Sequence, residues 1–351
     1  MQLNMFNFNR LGAVFAILTS AAIYSCSGDS GSAVLPASSG KVGEMLVVIE
    51  ESYWKGEAGE AIREVFQQSI PGLSAHEPML SIVFVSHKNF SRMFRTHRNI
   101  LIADITGDPK TNSQVEMKKE SWAENQLVYT FVAPDDTSFA SLIKRRGQQV
   151  LDECLKIDIE RLMRRYRGME DKQITAYLQE KHQFSMVVPK GYKIATEGEK
   201  FVWLRYERPD LGDFYQSLTF WYTDYTDTSM FSRDYILMMR DSLGKMYIPG
   251  ELPNTYMSTV TFAPLSAYND SLVDYRPEPN PMQINGQYAI ELKGMWRLKH
   301  DFLGGPFISI TTYDPTRNRL FTIEGSLYVP DYDKRVYIRE LEAIIKTIRF
   351  Q

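Results

Sequence analysis

Cysteine is almost absent: the 351-residue chain has two, Cys26 and Cys154. Two thiols allow at most one bridge, so a disulfide-stapled scaffold is excluded and stability has to come from an apolar core. Histidine is scarce as well. Of the five, His76, His87 and His97 fall within 22 residues, but their spacing matches no compact metal motif such as H-x3-H or HExxH, and ordinary hydrogen bonds at strand ends or loops account for each. Positive charge is not in excess, since 40 Lys and Arg against 43 Asp and Glu give a net charge of −3. That removes the basic footprint needed to neutralise phosphates, so nucleic acid is not an expected partner. What is present is the composition of a globular protein, 44% hydrophobic and 24% charged, which argues against a disordered or multi-span membrane chain. Twenty Tyr and nineteen Phe, many in alternating runs, point to β-structure, because flat, stiff rings pack well on a pleated surface. The length accommodates two domains.

The N-terminus carries the most specific signal. Residues 1–10 are polar with one cation, Arg10; the apolar run Leu11 to Tyr24 follows, and Ser25-Cys26 closes it. That order is the n-region, h-region and small residue of a signal peptide. At 14 residues the run is too short to span about 30 Å of hydrocarbon. Ile23-Tyr24-Ser25-Cys26 reads as a lipobox, although Tyr24 departs from the usual small residue before the last position. The expectation is a signal peptide over 1–25, lipid attachment at Cys26 and a flexible tether over 26–40, which is small, polar and without periodicity. An ordinary signal peptide cut elsewhere, or an uncleaved anchor, is the competing reading. Ser27 in place of an acidic residue favours, by resemblance to bacterial sorting signals, an outer-membrane lipoprotein facing the periplasm.

Beyond the tether, apolar runs at Glu44–Glu50, Met79–Val85, Asn99–Ile105 and Gln126–Ala133 read as strands, and Glu57–Gln68 as an amphipathic helix stopped by Pro71-Gly72. The longest helix is expected over 137–167, with Phe139, Leu142, Ile143, Val150, Leu151, Cys154, Ile159 and Leu162 on one stripe. From Phe184 onward, alternating strands are joined by turns. Phe231–Lys245 reads as a helix, a Pro-rich loop follows (Pro249 to Pro281), and three strands and a helix over 332–348 close the chain. The expected class is α+β: two mixed-sheet domains, 41–168 and 184–351, with predominantly antiparallel strands and flanking helices, joined by a linking helix over 169–183.

Two resemblances follow from particular residues. Leu35-Pro36, Ser39-Gly40-Lys41, Gly43-Glu44, Trp54-Lys55-Gly56, Gly59 and Thr96-His97-Arg98-Asn99-Ile100, behind the lipobox, resemble a family of Bacteroidetes lipoproteins built on a domain of unknown function. That resemblance covers nearly the whole chain and implies an envelope location, with no catalytic residue to carry over. The stretch from Phe184 is similar in layout to the α/β/α sandwich of the PsbP and Mog1 type, through Phe-x4-Pro-x-Gly-Tyr (Phe184 to Tyr192), the late strands and the closing helix. Such folds mostly serve as binding or assembly modules, and fold does not fix function.

Several clusters could carry chemistry. Gly28-Asp29-Ser30-Gly31 spells the nucleophile loop of trypsin-like proteases, yet it lies in the tether with no upstream His or Asp to complete a triad. Arg98, within Thr96-His97-Arg98-Asn99 at the start of a strand, could present its planar fork to a carboxylate or phosphate; a buried ion pair with Glu44 or Asp104 is the competing account. Trp54-Lys55-Gly56-Glu57 opens a helix where glycine lets the backbone approach a ligand or simply turn. Arg161, Arg164, Arg165 and Arg167 form a basic end on the long helix, suited to lipid headgroups or to the helix dipole alone. Cys154, on the apolar stripe, is expected to be a buried, inert thiol.

The candidate ligand-binding residues are therefore Trp54, Lys55, His97, Arg98 and Asn99, with Cys26 for lipid attachment; no catalytic residue, metal site or cofactor is assigned. The functional expectation is a membrane-tethered binding or assembly module of the cell envelope, partnered by the membrane and by an envelope protein or small molecule. The alternative is an envelope enzyme with its site at the interdomain cleft near Arg98. A binder should present an aromatic or apolar groove, and an enzyme should present convergent titratable groups with perturbed pKa values.

Overall fold

Short β-branched runs build a first sheet in the order β2-β1-β3-β5-β4, comprising β1 (Glu44–Val48), β2 (Ser81–Val85), β3 (Asn99–Ile105), β4 (Gln114–Lys119) and β5 (Leu127–Ala133). The computed structural model describes residues 35–73, 76–266 and 269–350; the expected signal segment, Cys26 and the tether up to residue 34 lie outside the described residues. Strands β1, β2, β3 and β5 pair in parallel: helices lie between β1 and β2 and between β2 and β3, β3 reaches β5 by way of β4, and β4 joins β5 through the loop 120–126 and runs antiparallel. A parallel sheet needs cover on both faces, and the side-chain alternation supplies it. Met45, Val47, Leu101 and Phe131 face helices α2 (Glu57–Phe66) and α4 (Asp136–Arg167), while Leu46, Val48 and Ile100 face Phe90, Phe94 and Trp122. Two single-turn helices, α1 (Glu51–Trp54) and α3 (Arg92–Arg95), complete this half. The edge strand β4 is polar and largely exposed, which protects a free edge from pairing with other chains.

Helix α4 is long for a mechanical reason. Its 32 residues extend about 48 Å at 1.5 Å per residue, enough to serve two cores. Asp135 caps its first turn by accepting from the Ser138 amide at 2.8 Å. Phe139, Leu142, Ile143, Val150, Leu151 and Cys154 pack under the first sheet, and Ile159, Leu162 and Tyr166 enter the core of the second.

After the two-residue β6 (Phe184–Ser185), which pairs with Arg349–Phe350, the second sheet is antiparallel, in the order β10-β14-β15-β16-β9-β8-β7, built from β7 (Lys193–Gly198), β8 (Phe201–Glu207), β9 (Tyr215–Asp224), β10 (Tyr256–Thr259), β14 (Gln287–Lys299), β15 (Gly304–Asp314) and β16 (Arg319–Tyr328). Its inner face, with Leu204, Leu218, Phe220, Ile308, Phe321 and Ile323, buries against α5 (Lys172–His182), α7 (Arg335–Ile345) and the end of α4. Its outer face, with Phe201, Trp221, Leu292, Trp296 and Phe307, is partly roofed by α6 (Arg233–Tyr247). The Pro-rich stretch expected to be loop is more structured than its composition indicates. It contains β10, the ribbon β11 (Phe262–Ser266) and β12 (Asn269–Asp274), and β13 (Asn280–Ile284) beside β14. Pro264 and Pro281 fall in edge or two-stranded positions, where a missing N–H is tolerated.

The protein is thus α+β with mixed sheets, mostly antiparallel, and the parallel pairs are confined to the first sheet. Ala37–Gln351 forms one compact unit. Among the described residues, no helix is long and apolar enough to cross a membrane.

Candidate functional site

The residues marked by sequence do not converge. Strand β1 runs roughly 16 Å; His97 and Asn99 sit at its N-terminal end, and Trp54 and Lys55 beyond its C-terminal end. Trp54 is packed into the fold, stacked on Phe84 at 5.2 Å with the Arg63 guanidinium 4.8 Å from its ring. Lys55 pairs with Glu51 at 2.6 Å on the surface. At the other end His97 joins Glu44 at 2.8 Å, and Asn99 donates to the Glu44 carbonyl. Burial opposes the Glu44 carboxylate, but His97 and the Lys41 amide outweigh it and hold its pKa below the ordinary value.

Arg98 pairs with Asp158 rather than with Glu44 or Asp104, at 3.5 Å. Asp158 is fully buried and is the hub of the region. It accepts from Arg161 at 2.5 Å and from the Gly43 amide at 2.8 Å. Arg161 also donates to the carbonyls of Asn125 and Arg98, so its guanidinium faces inward and not toward headgroups. Arg339 from α7 completes the cluster, donating to the Met79 carbonyl; a Cβ at Gly43, whose φ is +72°, would lie 2.0 Å from its Nη1. Burial pulls the Arg339 pKa down to about 10, against the opposing pull of Asp158. Cys154 is buried, and burial pushes its thiol up, away from reactivity.

Between the two sheets runs a cleft made of two adjoining cavities, about 550 and 790 Å³, which share Pro71, Met79, Asp152, Asn280, Glu291 and Lys293. Arg98 lines neither. Four titratable groups here are linked in one ion-pair network: Lys293 lies 3.1 Å from Glu291 and 3.6 Å from Glu342, and Lys346 lies 2.5 Å from Glu342. Burial works against each charge. Even so, the carboxylates raise the Lys293 pKa, and the two ammonium groups lower that of Glu342. Both shifts lead away from neutrality, the reverse of what general acid–base work at pH 7 requires. His76, His87 and His97 are dispersed, on Ser69, Glu50 and Glu44 respectively. Among the described residues, no group of three or more His, Cys, Asp or Glu could hold a metal ion.

The concave site that sequence reasoning missed lies on the outer face of the second sheet. A recess of about 360 Å³ is walled by Ile248–Glu251 and Met257, and floored by Trp203, Tyr215, Trp296 and Tyr328. Strand register assembles the floor. Tyr215 opposes Tyr328 with rings 5.8 Å apart and stacked, and Ser217 opposes both Arg205 and Ser326. Trp296 stands opposite Gly305, and a Cβ there would lie 1.9 Å from the Leu327 carbonyl; glycine keeps that backbone open to the Trp296 indole, which donates to Leu327 at 3.2 Å. Trp203 is fixed by its indole N–H on Ser217 at 3.0 Å. Arg205 lies 4.2 Å from the Tyr215 ring and pairs with Glu207 at 2.9 Å, a cation–π arrangement that holds the guanidinium plane in place. Asp213 and Glu251 add carboxylates to the lining. Burial, followed by Asp213, raises the Tyr328 pKa, so its hydroxyl stays protonated. The sequence signal was period-2 alternation: in Phe201–Glu207, Trp203 and Arg205 alternate with the buried Val202 and Leu204.

Fold and recess together define an α+β protein with a preformed aromatic pocket on the outer face of an antiparallel sheet. Residues 171–347 match the family described as Domain of unknown function (DUF4837), and the chain belongs to it. Residues 38–167 match a second description, Domain of unknown function (DUF8532). No curated protein matches the chain. Among solved structures, the chain is similar to the Ran-binding protein Mog1p of Saccharomyces cerevisiae, with 8% identity and TM-score 0.29, covering 48% of this chain and 90% of that one. It is similar also to LpqN of Mycobacterium tuberculosis, described as involved in cell envelope biogenesis, with 13% identity and TM-score 0.28, covering 48% and 83%. A Bacteroides thetaiotaomicron protein shows 14% identity and TM-score 0.24, covering 48% and 45%.

Proposed function

We propose that this chain is a binding module of the cell envelope, and that its ligand is a saccharide ring held in the recess of Trp203, Tyr215, Trp296 and Tyr328. The observation that carries the reading is the recess itself. Trp203 and Tyr328 are half-buried at its floor, its size lies in the range of small-ligand pockets, and a fixed Arg205 and two carboxylates stand around them. A pyranose has one face of C–H groups and a rim of hydroxyls. The face packs on Trp203, since Arg205 and Tyr328 already cover the Tyr215 ring, and the rim pairs with Arg205, Asp213, Glu251, Ser217 and Ser326. A cationic ligand fits less well, because Arg205 already occupies the cation position over the Tyr215 ring.

The location belongs to the same proposal: a Bacteroidetes lipoprotein, processed after residue 25, acylated at Cys26, tethered through 26–40 and anchored in the outer membrane facing the periplasm. Lipobox and tether support it. The anchored chain then presents the recess to envelope glycans within reach of its tether.

Intrinsic tryptophan fluorescence tests the ligand assignment, because Trp203 and Trp296 both lie in the recess. The probes are N-acetylglucosamine oligosaccharides, neutral hexose oligosaccharides and uronate oligosaccharides. A saturable emission change with one class, absent in Trp203→Ala, is the expected result. No change with any of the three overturns the assignment.

A further inference from the structure

The turn from β14 into β15 carries Phe302, a fully exposed phenyl ring on the hairpin Lys299-His300-Asp301-Phe302-Leu303. Strand β10 lies beside it, with Tyr256 opposite Lys299, so the preceding loop leaves the same end of the sheet; there Leu252 is 56% exposed. Helix α6 ends at this edge as well. The Met257 amide donates to the Ile248 carbonyl at 3.0 Å, and Met246 in the last turn of α6 is 67% exposed. Three large apolar side chains therefore project into solvent from segments that meet at one end of the sheet, and exposed apolar groups gathered at one place mark an interaction site.

The charges around them identify the partner's chemistry. Lys245 lies 5.6 Å from the Tyr256 ring, Arg297 and Lys299 are exposed in the last residues of β14, and His300 follows. The acids at this end are Glu251 and Asp301, with Asp213 and Asp331 beside Tyr328 on the far side of the recess. Apolar tips, an aromatic ring behind them and the cations Lys245, Arg297 and Lys299 beside the tips match the depth profile of a bilayer interface, from acyl chains through the carbonyl region to phosphates. A protein interface is expected to look different, with a contiguous apolar centre depleted of lysine.

We propose that this end of the second sheet rests on an anionic lipid surface, with Phe302, Leu252 and Met246 below the headgroups and Lys245, Arg297 and Lys299 on the phosphates. This contact is separate from acylation at Cys26 and from occupancy of the recess, whose wall residues Ile248–Glu251 and Leu303 adjoin it. It would fix which way the recess faces once the chain is tethered.

The test places an environment-sensitive fluorophore at Phe302→Cys in the full chain carrying Cys26→Ser; Cys154 is buried and does not compete for label. The control places the same fluorophore at Met93→Cys, another exposed position, 74% exposed, in the first half of the chain. The probe is a vesicle of phosphatidylcholine and phosphatidylglycerol in equal parts, with nitroxide-bearing acyl chains as quencher. The expected result is a blue shift and quenching at position 302 and neither at 93. Equal responses at both positions, or no response at 302 on vesicles that capture the protein, overturns the proposal. So does a vesicle that fails to capture it, or a shift at 302 that soluble envelope protein produces and lipid does not.

Discussion

Replacing Asp158 with Asn isolates the reading of the Arg98 region as structure. The substitution keeps the shape and one acceptor oxygen but removes the negative charge. In the native protein that charge is fully buried, 2.5 Å from Arg161 and 3.5 Å from Arg98, with Arg339 close enough for its pKa to respond. Removing one partner of a buried ion pair strands the others, at a cost of about 3–5 kcal/mol. With an unfolding entropy of about 2.1 cal/mol/K per residue, that cost lowers Tm by about 4–7 °C for a chain of this length. Circular dichroism melts at neutral pH read it. A second substitution, Arg98→Met in the Asp158→Asn background, should recover part of the loss, because the stranded cation is removed with its partner. A Tm within about 1 °C of the native value would refute the reasoning, since a buried counter-charge cannot be lost at that price.

The other predictions follow the same logic. Arg240 and Glu324 form a buried two-pronged pair between α6 and β16, at 2.7 and 2.8 Å, so Arg240→Met should destabilise by about 3–5 kcal/mol in denaturant titration, and adding Glu324→Leu should return much of it. Burial lowers the His182 pKa below its ordinary value, so the unfolded chain takes up the proton more readily than the folded one. Stability is then intact above about pH 6.5 and is lost as pH falls through the depressed folded value; His182→Gln should flatten that acid limb of the stability profile. Arg205→Lys should weaken oligosaccharide binding while leaving Tm nearly unchanged, because an ammonium keeps the charge but loses the planar stack on Tyr215.

Local chemistry made much of the architecture legible. Strands over 99–105 and 287–299, the helix ending at Arg167 and the stop at Pro71-Gly72 follow from periodicity and breakers acting on neighbouring residues. Parallel pairing of β1 with β2 and β3 was not legible, because it depends on where the crossovers return the chain. Nor was the ordering of the Pro-rich stretch, since edge positions excuse Pro264 and Pro281 only after the sheet exists. The site is the sharper case. Trp54 and Arg98 stood out as polar or aromatic signatures near glycine and strand ends, and such positions serve packing and ion pairing as readily as binding. Trp203, Tyr215, Trp296 and Tyr328 come from four separate strands, and only the register of the folded sheet brings them to one recess.

A crystal grown with the tightest-binding oligosaccharide tests the recess most directly. The account predicts a pyranose ring packed on Trp203, with hydroxyls on Arg205 and the neighbouring carboxylates. Sugar density in the cleft beside Lys293, with an empty recess, would contradict it.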